Sequence, residues 1–460
     1  MSSSTPALAR PNSDTDADLR RRRSTTWVVV LSMLALIFDG YDLVVYGTVV
    51  PTLLADSSQL GPLTATQAGT LGSYALVGVL VGALSAGALG DWIGRRRVVL
   101  VNLAWFSIGM GATAMATSVQ VFGLLRFFTG IGVGALVATV GAFVAEFAPA
   151  ERRNVLNAVV YSGVPAGGVL AALIALVVPD SAGWRPLFWV GALPILLVLP
   201  LAIVKLPESP RWLAARGRLA EAEEASRRTG VPLTPVTEAA RTAPAPVGFA
   251  ALARKPLAWP TMLLGTMSFG GLLLTYGLNT WLPKIMQDNG YGTNYSMTFL
   301  LVLNLGAIVG GLAASRIADR TGAKPVVAST FVLAALTLLV LPLQLPFAVV
   351  LAAVAVAGVG TIGTQVLIYG LVSNYYPTRA RAAGVAWCAG FGRLGGIVGP
   401  VVGGALVSAG VGGTTAFYVF AGVSLLGALV TLLVPRPDHE EEAVAPTHPL
   451  PEPTASTVAA

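Results

Sequence analysis

Long apolar segments alternate with short polar ones along almost the whole chain. Twelve of them are long enough to cross a bilayer, since a helical span needs about 20 predominantly apolar residues. In order they lie near 27–50, 66–89, 98–117, 120–145, 155–178, 184–205, 258–282, 296–315, 326–345, 347–372, 382–407 and 414–434. The pattern predicts an all-α integral membrane protein with twelve transmembrane helices, numbered here as spans 1 to 12.

Polar segments divide the predicted helices into two groups of six. The expected organisation is a disordered N-terminal tail (1–26), a first half (27–205), a central loop (206–256), a second half (257–434) and a disordered C-terminal tail (435–460). The first apolar segment begins only at Trp27, after a polar stretch, and is long enough to span. It is therefore predicted to be a retained helix rather than a cleavable signal.

The two halves carry an internal repeat. Landmarks in four successive regions recur at a constant separation of 228 residues. The pairs are Asp91 and Asp319, Gly94 and Gly322, Gly130 and Gly358, Pro149 and Pro377, and Gly167 and Gly395. Two parallel six-helix repeats are the arrangement of the major facilitator fold, in which the halves enclose a site near the middle of the bilayer.

Composition excludes several other classes of protein. Hydrophobic residues make up 55% of the chain and charged residues only 11%, against roughly 25% charged in soluble domains. The net charge of +7 does not indicate nucleic-acid binding, because the basic residues form short clusters between apolar segments rather than one basic surface. The chain has one cysteine and two histidines, and both histidines lie in the C-terminal tail. No metal site and no cofactor is therefore predicted. No nucleophile and base occur together, so the chain is not expected to be an enzyme.

The distribution of lysine and arginine predicts the orientation. Of 29 such residues, Arg126 and Arg393 fall inside spans, and Arg185 and Lys284 lie beside odd-numbered connections. The other 25 lie in the tails, the even-numbered loops and the central segment. Cytoplasmic loops carry the excess of lysine and arginine. Both termini are therefore expected in the cytoplasm, in a multi-pass protein of the cytoplasmic (inner) membrane.

Span 1 contains two acidic residues within its apolar run, in the sequence FDGYDLVVYG. Carboxylates inside a membrane are costly and usually functional. Asp39 and Asp42 are three residues apart and lie on roughly one helical face. They are predicted to couple transport to a proton or to the substrate. The alternative is that one of them only pairs with a basic residue to hold helices together.

Two arginines within spans also need partners. Arg126 in span 4 is expected to pair with an aspartate of span 1 and so to take part in proton coupling. Arg393 lies among the glycines of span 11, and its planar guanidinium suits a carboxylate. Arg393 is the preferred partner for an anionic substrate, with a structural charge pair as the alternative.

Several loop motifs are predicted to form gates. GALGDWIGRRR follows span 2, SRIADRTGAK follows span 8, and EFAPAERR follows span 4. An aspartate at a helix end can bind the N-terminus of a facing helix or an arginine, and such contacts can break when the conformation changes. The alternative for Arg95–Arg97 is that they only anchor the topology, and the alternative for Glu146 is a proton site near the middle of the bilayer. The predicted gating residues are Asp91, Arg95, Glu146, Arg152, Asp319 and Arg320.

Aromatic residues within the spans could stack on a ring-containing substrate. For each of them, helix packing is the competing explanation. The candidates are Tyr41, Tyr46, Trp281, Tyr369 and Trp387. Two matches to G-x-G-x-x-G, in spans 10 and 11, lack the strand that a dinucleotide site requires and are interpreted as packing glycines.

The motifs together resemble the aromatic acid:proton symporter family of the major facilitator superfamily. The resemblance rests on DGYD (Asp39–Asp42), YGLNTWLP in span 7, NLG in span 8, NYYPTRAR, and GRLGGIVGPVVGG in span 11. It implies proton-driven import of aromatic carboxylates such as benzoate, hydroxybenzoates, protocatechuate or gentisate, by a monomer in a lipid bilayer. It also implies that Asp39, Asp42, Asp91 and Asp319 are required, although Ala323–Pro325 departs from the usual basic run.

Other transport functions remain open from the sequence. PESPRWL (Pro207–Leu213) is shared with sugar porters, so a proton-coupled symporter of a sugar, a shikimate-like acid or nicotinate is one alternative. A proton-driven drug exporter is another. Exporters commonly carry G-P-x-x-G-G in span 5, but here span 5 reads SGVPAGG, and GPVVGG falls in span 11.

Overall fold

The computed structural model describes residues 13–149, 152–233, 249–254, 256–343, 345–376, 378–410 and 412–435. Twelve helical segments in these ranges are long and apolar enough to cross a membrane, as predicted. The first half consists of helices Ser13–Ala55, Ala65–Ile93, Arg95–Ala114, Val119–Phe147, Arg153–Tyr161 with Gly163–Val177, and Arg185–Ala192 with Pro194–Lys205. The second consists of Ala258–Asp288, Thr293–Thr321, Ala323–Val340, Phe347–Gly358 with Thr364–Tyr375, Thr378–Ser408 and Gly412–Leu433.

Three of the spans are interrupted. Span 5 breaks at Ser162. Span 6 breaks before Pro194, which has no backbone N–H to continue the ladder of hydrogen bonds. Span 10 contains one π-helical turn, Val359–Gly363, a feature that frequently marks functional segments of helices.

The internal repeat is visible in the helix boundaries. Spans 2 and 8 begin at Ala65 and Thr293 and end at Ile93 and Thr321, 228 residues apart at both ends. Spans 4 and 10 begin at Val119 and Phe347 and end at Phe147 and Tyr375, with the same separation. The chain therefore consists of two parallel six-helix repeats, as the sequence predicted.

One glycine in each repeat makes the tight connection after an even-numbered span. Gly94 joins span 2 to span 3 with a φ of 102°, and Gly322 joins span 8 to span 9 with a φ of 90°. Side chains with a Cβ rarely adopt this conformation. The glycine of each loop motif is therefore required by the backbone.

The N-terminal segment differs from the prediction. Residues 13–26, expected to be disordered, continue span 1 as helix. Tertiary contacts explain the difference: the Thr25 hydroxyl donates to the Phe147 carbonyl at 3.1 Å, and Gly230 packs directly against the backbone of Ala17. The sequence has no local signal for such support.

The central segment and the tails are partly described. The segment expected as a loop contains three short helices, Pro210–Ala215, Leu219–Thr229 and Phe249–Leu252. The first two share a small apolar cluster of Trp212, Leu213 and Ala222. The rest of the tails predicted to be disordered, 1–12 and 436–460, and residues 234–248 lie outside the described residues.

Because the number of described spans is even, the start of span 1, the end of span 12 and helix Pro210–Ala215 lie on one side, here called the terminal side. The opposite side is called the far side. The halves touch through spans 1 and 7, 2 and 11, and 5 and 8. On the far side Ser408 Oγ accepts a hydrogen bond from Thr66 N at 2.8 Å, and Gly69 packs against the Pro400 carbonyl. The terminal-side helices Arg153–Tyr161 and Thr364–Tyr375 pack extensively only within their own halves. The described part of the chain is thus closed on the far side.

Candidate functional site

A buried ion pair connects spans 1 and 4. The Arg126 guanidinium donates to the Asp42 carboxylate and, through Nη2, to the Asp42 main-chain carbonyl at 3.2 Å. Both side chains are 1% exposed. The guanidinium carbon lies 5.8 Å from the centre of the Tyr46 ring and 5.7 Å from that of Phe188. The expected partner of Arg126 is therefore Asp42, within an aromatic enclosure that adds cation–π attraction.

Asp39 is the second buried acid of span 1. It is completely buried, and neither carboxylate oxygen has a hydrogen-bond partner among the described residues. It lies within electrostatic range of Asp42 and Arg393. Span 5 approaches closely here, because Gly40 packs against the Val164 carbonyl. Burial without a partner is costly for a carboxylate, so Asp39 is a candidate for a role beyond helix packing.

Arg393 lies across the interface on span 11. It is half-buried and forms no ion pair or hydrogen bond within the described ranges. It is within electrostatic range of three tyrosines, Tyr161, Tyr276 and Tyr369. A free guanidinium beside an unpaired acid and three phenol rings is chemically suited to an aromatic anion.

The other predicted stacking residues form hydrogen bonds to main-chain carbonyls. Tyr41 and Tyr46 are buried, and their hydroxyls donate to the carbonyls of Leu187 and Ala68, each at 2.6 Å. Trp281 is also buried and donates to Pro400 at 2.8 Å. The indole N–H of Trp387, which is half-buried, donates to Thr261 at 3.0 Å. For these residues, this conformation supports the packing alternative.

Two of the residues predicted to form the gate of the first half, Arg95 and Glu146, meet on the terminal side. Arg95 pairs with Glu146 at 3.3 Å. Glu208 accepts hydrogen bonds from the backbone N–H groups of Arg96 and Ser209, both at 3.1 Å. Arg96 also donates to the Leu206 carbonyl at 2.7 Å. Loop 2–3, span 4 and the PESPRWL motif are thereby joined.

Two members of that predicted gate take no part in the described contacts. The side chain of Asp91 lies outside the described residues. Arg152 is exposed. Their roles in gating stay predictions.

The second gate differs from the first. Asp319 and Arg320 are exposed at the end of span 8, and within the described ranges Asp319 forms no ion pair. It lines a cavity of about 880 Å³ between spans 8, 9, 10 and 12. Lys324 instead donates to the Val434 carbonyl, which fixes the start of span 9 to the end of span 12. The departure seen in the loop sequence is thus accompanied by a different contact.

The profile of the family described as "Sugar (and other) transporter" matches residues 27–435, which include all twelve spans. This chain belongs to that family. Membership makes it a multi-pass membrane transporter of the major facilitator superfamily, and it matches the resemblance found in the motifs.

Two named bacterial transport proteins are similar to this chain over most of their length. The chain is 34% identical to a gentisate transporter of Corynebacterium glutamicum, covering 89% of this chain and 87% of that protein. It is 30% identical to a benzoate transport protein of Acinetobacter baylyi, covering 91% of each. Both relatives are named as carriers of aromatic acids.

Solved structures support the fold. The inward open conformation of the xylose transporter XylE from E. coli superimposes with a TM-score of 0.73, covering 90% of this chain and 97% of that one. The identity is 19%, so the likeness concerns the fold alone.

Two residues of this transporter's candidate site were not identified from the sequence. Tyr161 and Tyr276 both lie near Arg393. Tyr276 begins the YGLNTWLP motif and could have been singled out there. Tyr161 carries no sequence signal, because its position depends on the packing of span 5 against span 4, where its hydroxyl donates to the Val137 carbonyl at 3.0 Å.

Glu208 is predicted to make the stability of the folded protein depend on pH. Burial, together with nearby Glu146, raises the pKa of Glu208 despite the hydrogen bonds from Arg96 and Ser209. The folded protein therefore holds this proton more tightly than the unfolded chain, whose glutamates titrate near pH ~4.3. The stabilisation is complete below that pH and is lost as the pH rises through the folded-state pKa.

We therefore expect the wild-type protein to lose thermal stability relative to Glu208→Gln as the pH rises from about 4.3 to neutral. Unfolding of both proteins in nanodiscs across this range measures the difference. Parallel pH profiles for the two proteins would contradict the expectation.

Proposed function

We propose that this transporter imports an aromatic carboxylate of the benzoate and hydroxybenzoate class together with protons, by alternating access. The observation that carries the proposal is the unpaired, buried Asp39 beside the free guanidinium of Arg393. The gentisate and benzoate carriers among the relatives support the substrate class.

In the proposed mechanism Arg393 binds the substrate carboxylate. A guanidinium can donate two parallel hydrogen bonds to a carboxylate, and Tyr161, Tyr276 and Tyr369 lie within electrostatic range of it. These rings would contact the substrate ring. A neutral sugar would leave the half-buried positive charge of Arg393 without compensation, so the site favours an anion.

Asp39 is the proposed proton carrier. Asp42 is already balanced by Arg126, whereas Asp39 has no such partner among the described residues. When Asp39 is protonated, Arg393 is free to bind the anion. When Asp39 releases its proton, its negative charge competes for Arg393 and favours release of the substrate. Each pH unit across the membrane then contributes about 1.4 kcal/mol per proton to accumulation.

The orientation follows from the charges of the loops. The terminal side carries the excess of lysine and arginine and is therefore proposed to face the cytoplasm. The conformation closed on the far side would be the one that delivers substrate to the cytoplasm. Because each copy contains both halves and a complete site between them, we propose that the monomer is the transporting unit in the inner membrane.

The test is uptake into proteoliposomes with an imposed pH gradient, acidic on the far side. Labelled benzoate, 4-hydroxybenzoate and gentisate should accumulate, and glucose should compete poorly. Arg393→Gln should raise the KM about ten- to a hundred-fold, since hydrogen bonds to charged groups contribute about 1.5–3 kcal/mol. Arg227→Gln is the control, because Arg227 is exposed on helix Leu219–Thr229, outside the spans.

Two outcomes would refute the proposal. One is accumulation of glucose in place of every aromatic acid tested. The other is an unchanged KM for the aromatic acid in Arg393→Gln.

A further inference from the structure

Tyr276 on span 7 has an unengaged phenol hydroxyl near Asp39 and Arg393. The residue is half-buried, and its hydroxyl forms no hydrogen bond to any residue in the described part of the chain. Its oxygen is not one of the fully enclosed polar atoms that lack a partner, so it keeps accessible surface. It lies within electrostatic range of Asp39 on span 1 and of Arg393 on span 11. This hydroxyl is therefore open to a ligand that occupies the space between the halves.

Other tyrosines of the helices have engaged hydroxyls. Those whose hydroxyl donates a hydrogen bond to another protein group are Tyr41, Tyr46, Tyr161 and Tyr376. A tyrosine that is largely enclosed in protein usually finds such a partner for its hydroxyl. The free hydroxyl of Tyr276 therefore indicates that its partner comes from outside the chain.

The ring of Tyr276 is held in place by span 11. It packs against Gly396, where an added Cβ would lie 2.8 Å from a ring carbon. Gly396 follows Arg393 by three residues, so it lies on nearly the same face of span 11 and about 4.5 Å closer to the far side. The Tyr276 ring and the Arg393 guanidinium therefore belong to adjacent turns of one surface.

Tyr369 on span 10 adds a second phenol to this surface. It lies within electrostatic range of both Arg393 and Tyr276. The Gln365 amide, one helical turn earlier, interacts with the Tyr369 hydroxyl and donates from Nε2 to Ser268 Oγ at 3.1 Å. Gln365 is only 6% exposed. It thereby connects Tyr369 to span 7 and fixes the position of the phenol.

The residues of this surface all belong to the second half. Spans 7, 10 and 11 pack against one another within that half. Gly395 packs directly against the Phe269 carbonyl, and Gly399 against the Leu273 carbonyl, so spans 7 and 11 are in close main-chain contact. The arrangement of Tyr276, Tyr369 and Arg393 therefore does not depend on contacts between the halves. It is retained when the halves move relative to each other.

A substrate ring that covers the Tyr276 hydroxyl must satisfy it. A tyrosine hydroxyl can both donate and accept a hydrogen bond. A ligand that displaces water from such a group without replacing its hydrogen bonds loses affinity. A site with polar groups for a substrate hydroxyl therefore discriminates against the analogue that lacks that hydroxyl. The matching chemical group is a phenolic hydroxyl on the substrate ring.

We infer that Tyr276 and Tyr369 recognise a hydroxyl group on the ring of the transported acid, and that Gln365 is the positioning residue of Tyr369. The preferred substrate is then a ring-hydroxylated carboxylate rather than benzoate itself. Arg393 binds the carboxylate and the two phenols bind the ring hydroxyl, so one half of the protein recognises both ends of the substrate. The inference rests on the proposed function and narrows its substrate class.

The experiment measures the KM for benzoate, 3-hydroxybenzoate and 4-hydroxybenzoate in the proteoliposomes described above. The selectivity is the KM for benzoate divided by the KM for the better hydroxybenzoate. In the wild-type protein it should be about ten. Tyr276→Phe and Tyr369→Phe keep the rings and should each lower the selectivity about two- to ten-fold, the usual contribution of one hydrogen bond. Tyr418→Phe is the matched control, because Tyr418 of span 12 is 46% exposed, and it should keep the wild-type selectivity.

Gln365→Leu tests the positioning role. It should lower the selectivity about as much as Tyr369→Phe does. The double variant should be no less selective than Tyr369→Phe alone, because residues that act through one interaction do not have additive effects. Additive losses would show that Gln365 does not act through Tyr369 and would contradict this part of the inference.

Three results would overturn the inference as a whole. One is an equal change in the KM of all three acids in Tyr276→Phe, which would mean that the hydroxyl binds the carboxylate. Another is an unchanged selectivity in either tyrosine variant. The third is a wild-type protein that transports all three acids with equal KM. A wild-type protein that accumulates none of these acids would refute the proposed function instead.

Discussion

Replacing Gly47 by alanine is expected to reduce transport about ten- to a hundred-fold. A Cβ at this position would lie 2.0 Å from the Asn279 carbonyl oxygen in the other half, far inside van der Waals contact. Overpacking of this kind costs about 1–3 kcal/mol, and each 1.4 kcal/mol shifts an equilibrium ten-fold. Because the contact joins the two halves, the cost falls on closure of the far side rather than on folding of either half.

The measurement combines uptake with a distance. Spin labels at Thr66 and Ser408, which touch in the closed state, should give a short distance in the wild-type background and a longer one with Gly47→Ala. Gly422→Ala is the control, because that glycine of span 12 has open space around its Cβ position. A short distance and normal uptake with Gly47→Ala would show that the far side closes in another way.

Removing either member of the Asp42–Arg126 pair is expected to destabilise the protein by about 3–5 kcal/mol, the usual result of leaving one buried charge uncompensated. Asp42→Asn and Arg126→Gln should each lower the thermal unfolding temperature in nanodiscs. The double variant should recover most of the loss, since it leaves no buried net charge. The double variant is not expected to recover wild-type transport, because Asp42 lies within electrostatic range of Asp39.

A partly exposed ion pair is the control for these single and double variants. Lys284 and Asp288 pair one helical turn apart on span 7 with partial exposure, and such pairs contribute only about 0–1 kcal/mol. Neutralising either should change the unfolding temperature little. If the double variant at 42 and 126 is as unstable as the sum of the two single variants, the pair is not the source of the stability.

Much of the fold was accessible from the sequence because bilayer spans have strong signals. Length and hydropathy predicted twelve helices, and the 228-residue separation predicted two repeats whose boundaries coincide in spans 2 and 8. The terminal helix 13–26 was missed because its support comes from distant residues, Phe147 and Gly230. Hydropathy contains no information about such contacts.

The site was predicted only in part. Intramembrane charge identified Asp39, Asp42, Arg126 and Arg393, but spacing alone could not decide which aspartate faces span 4. That depends on the rotation of span 1, which close packing against Val164 at Gly40 helps to determine. The presence of an aromatic residue in a span did not predict contact with a ligand. A tyrosine or tryptophan near the middle of the bilayer can donate a hydrogen bond to a neighbouring carbonyl as readily as it can face a ligand.

The most direct test of the account follows proton and substrate movement together. 4-Hydroxybenzoate is added on the far side of lightly buffered vesicles that contain a pH indicator in the lumen, without an imposed pH gradient. Protein-free vesicles are measured in parallel, to correct for passive entry of the neutral acid. The wild-type protein should acidify the lumen in step with uptake. Asp39→Asn should still exchange labelled for unlabelled substrate but should cause no more acidification than the protein-free vesicles. Glu223→Gln is the control, because Glu223 is an exposed acid outside the spans. This variant should behave like the wild-type protein. Acidification by Asp39→Asn equal to that of the wild-type protein would contradict the central claim.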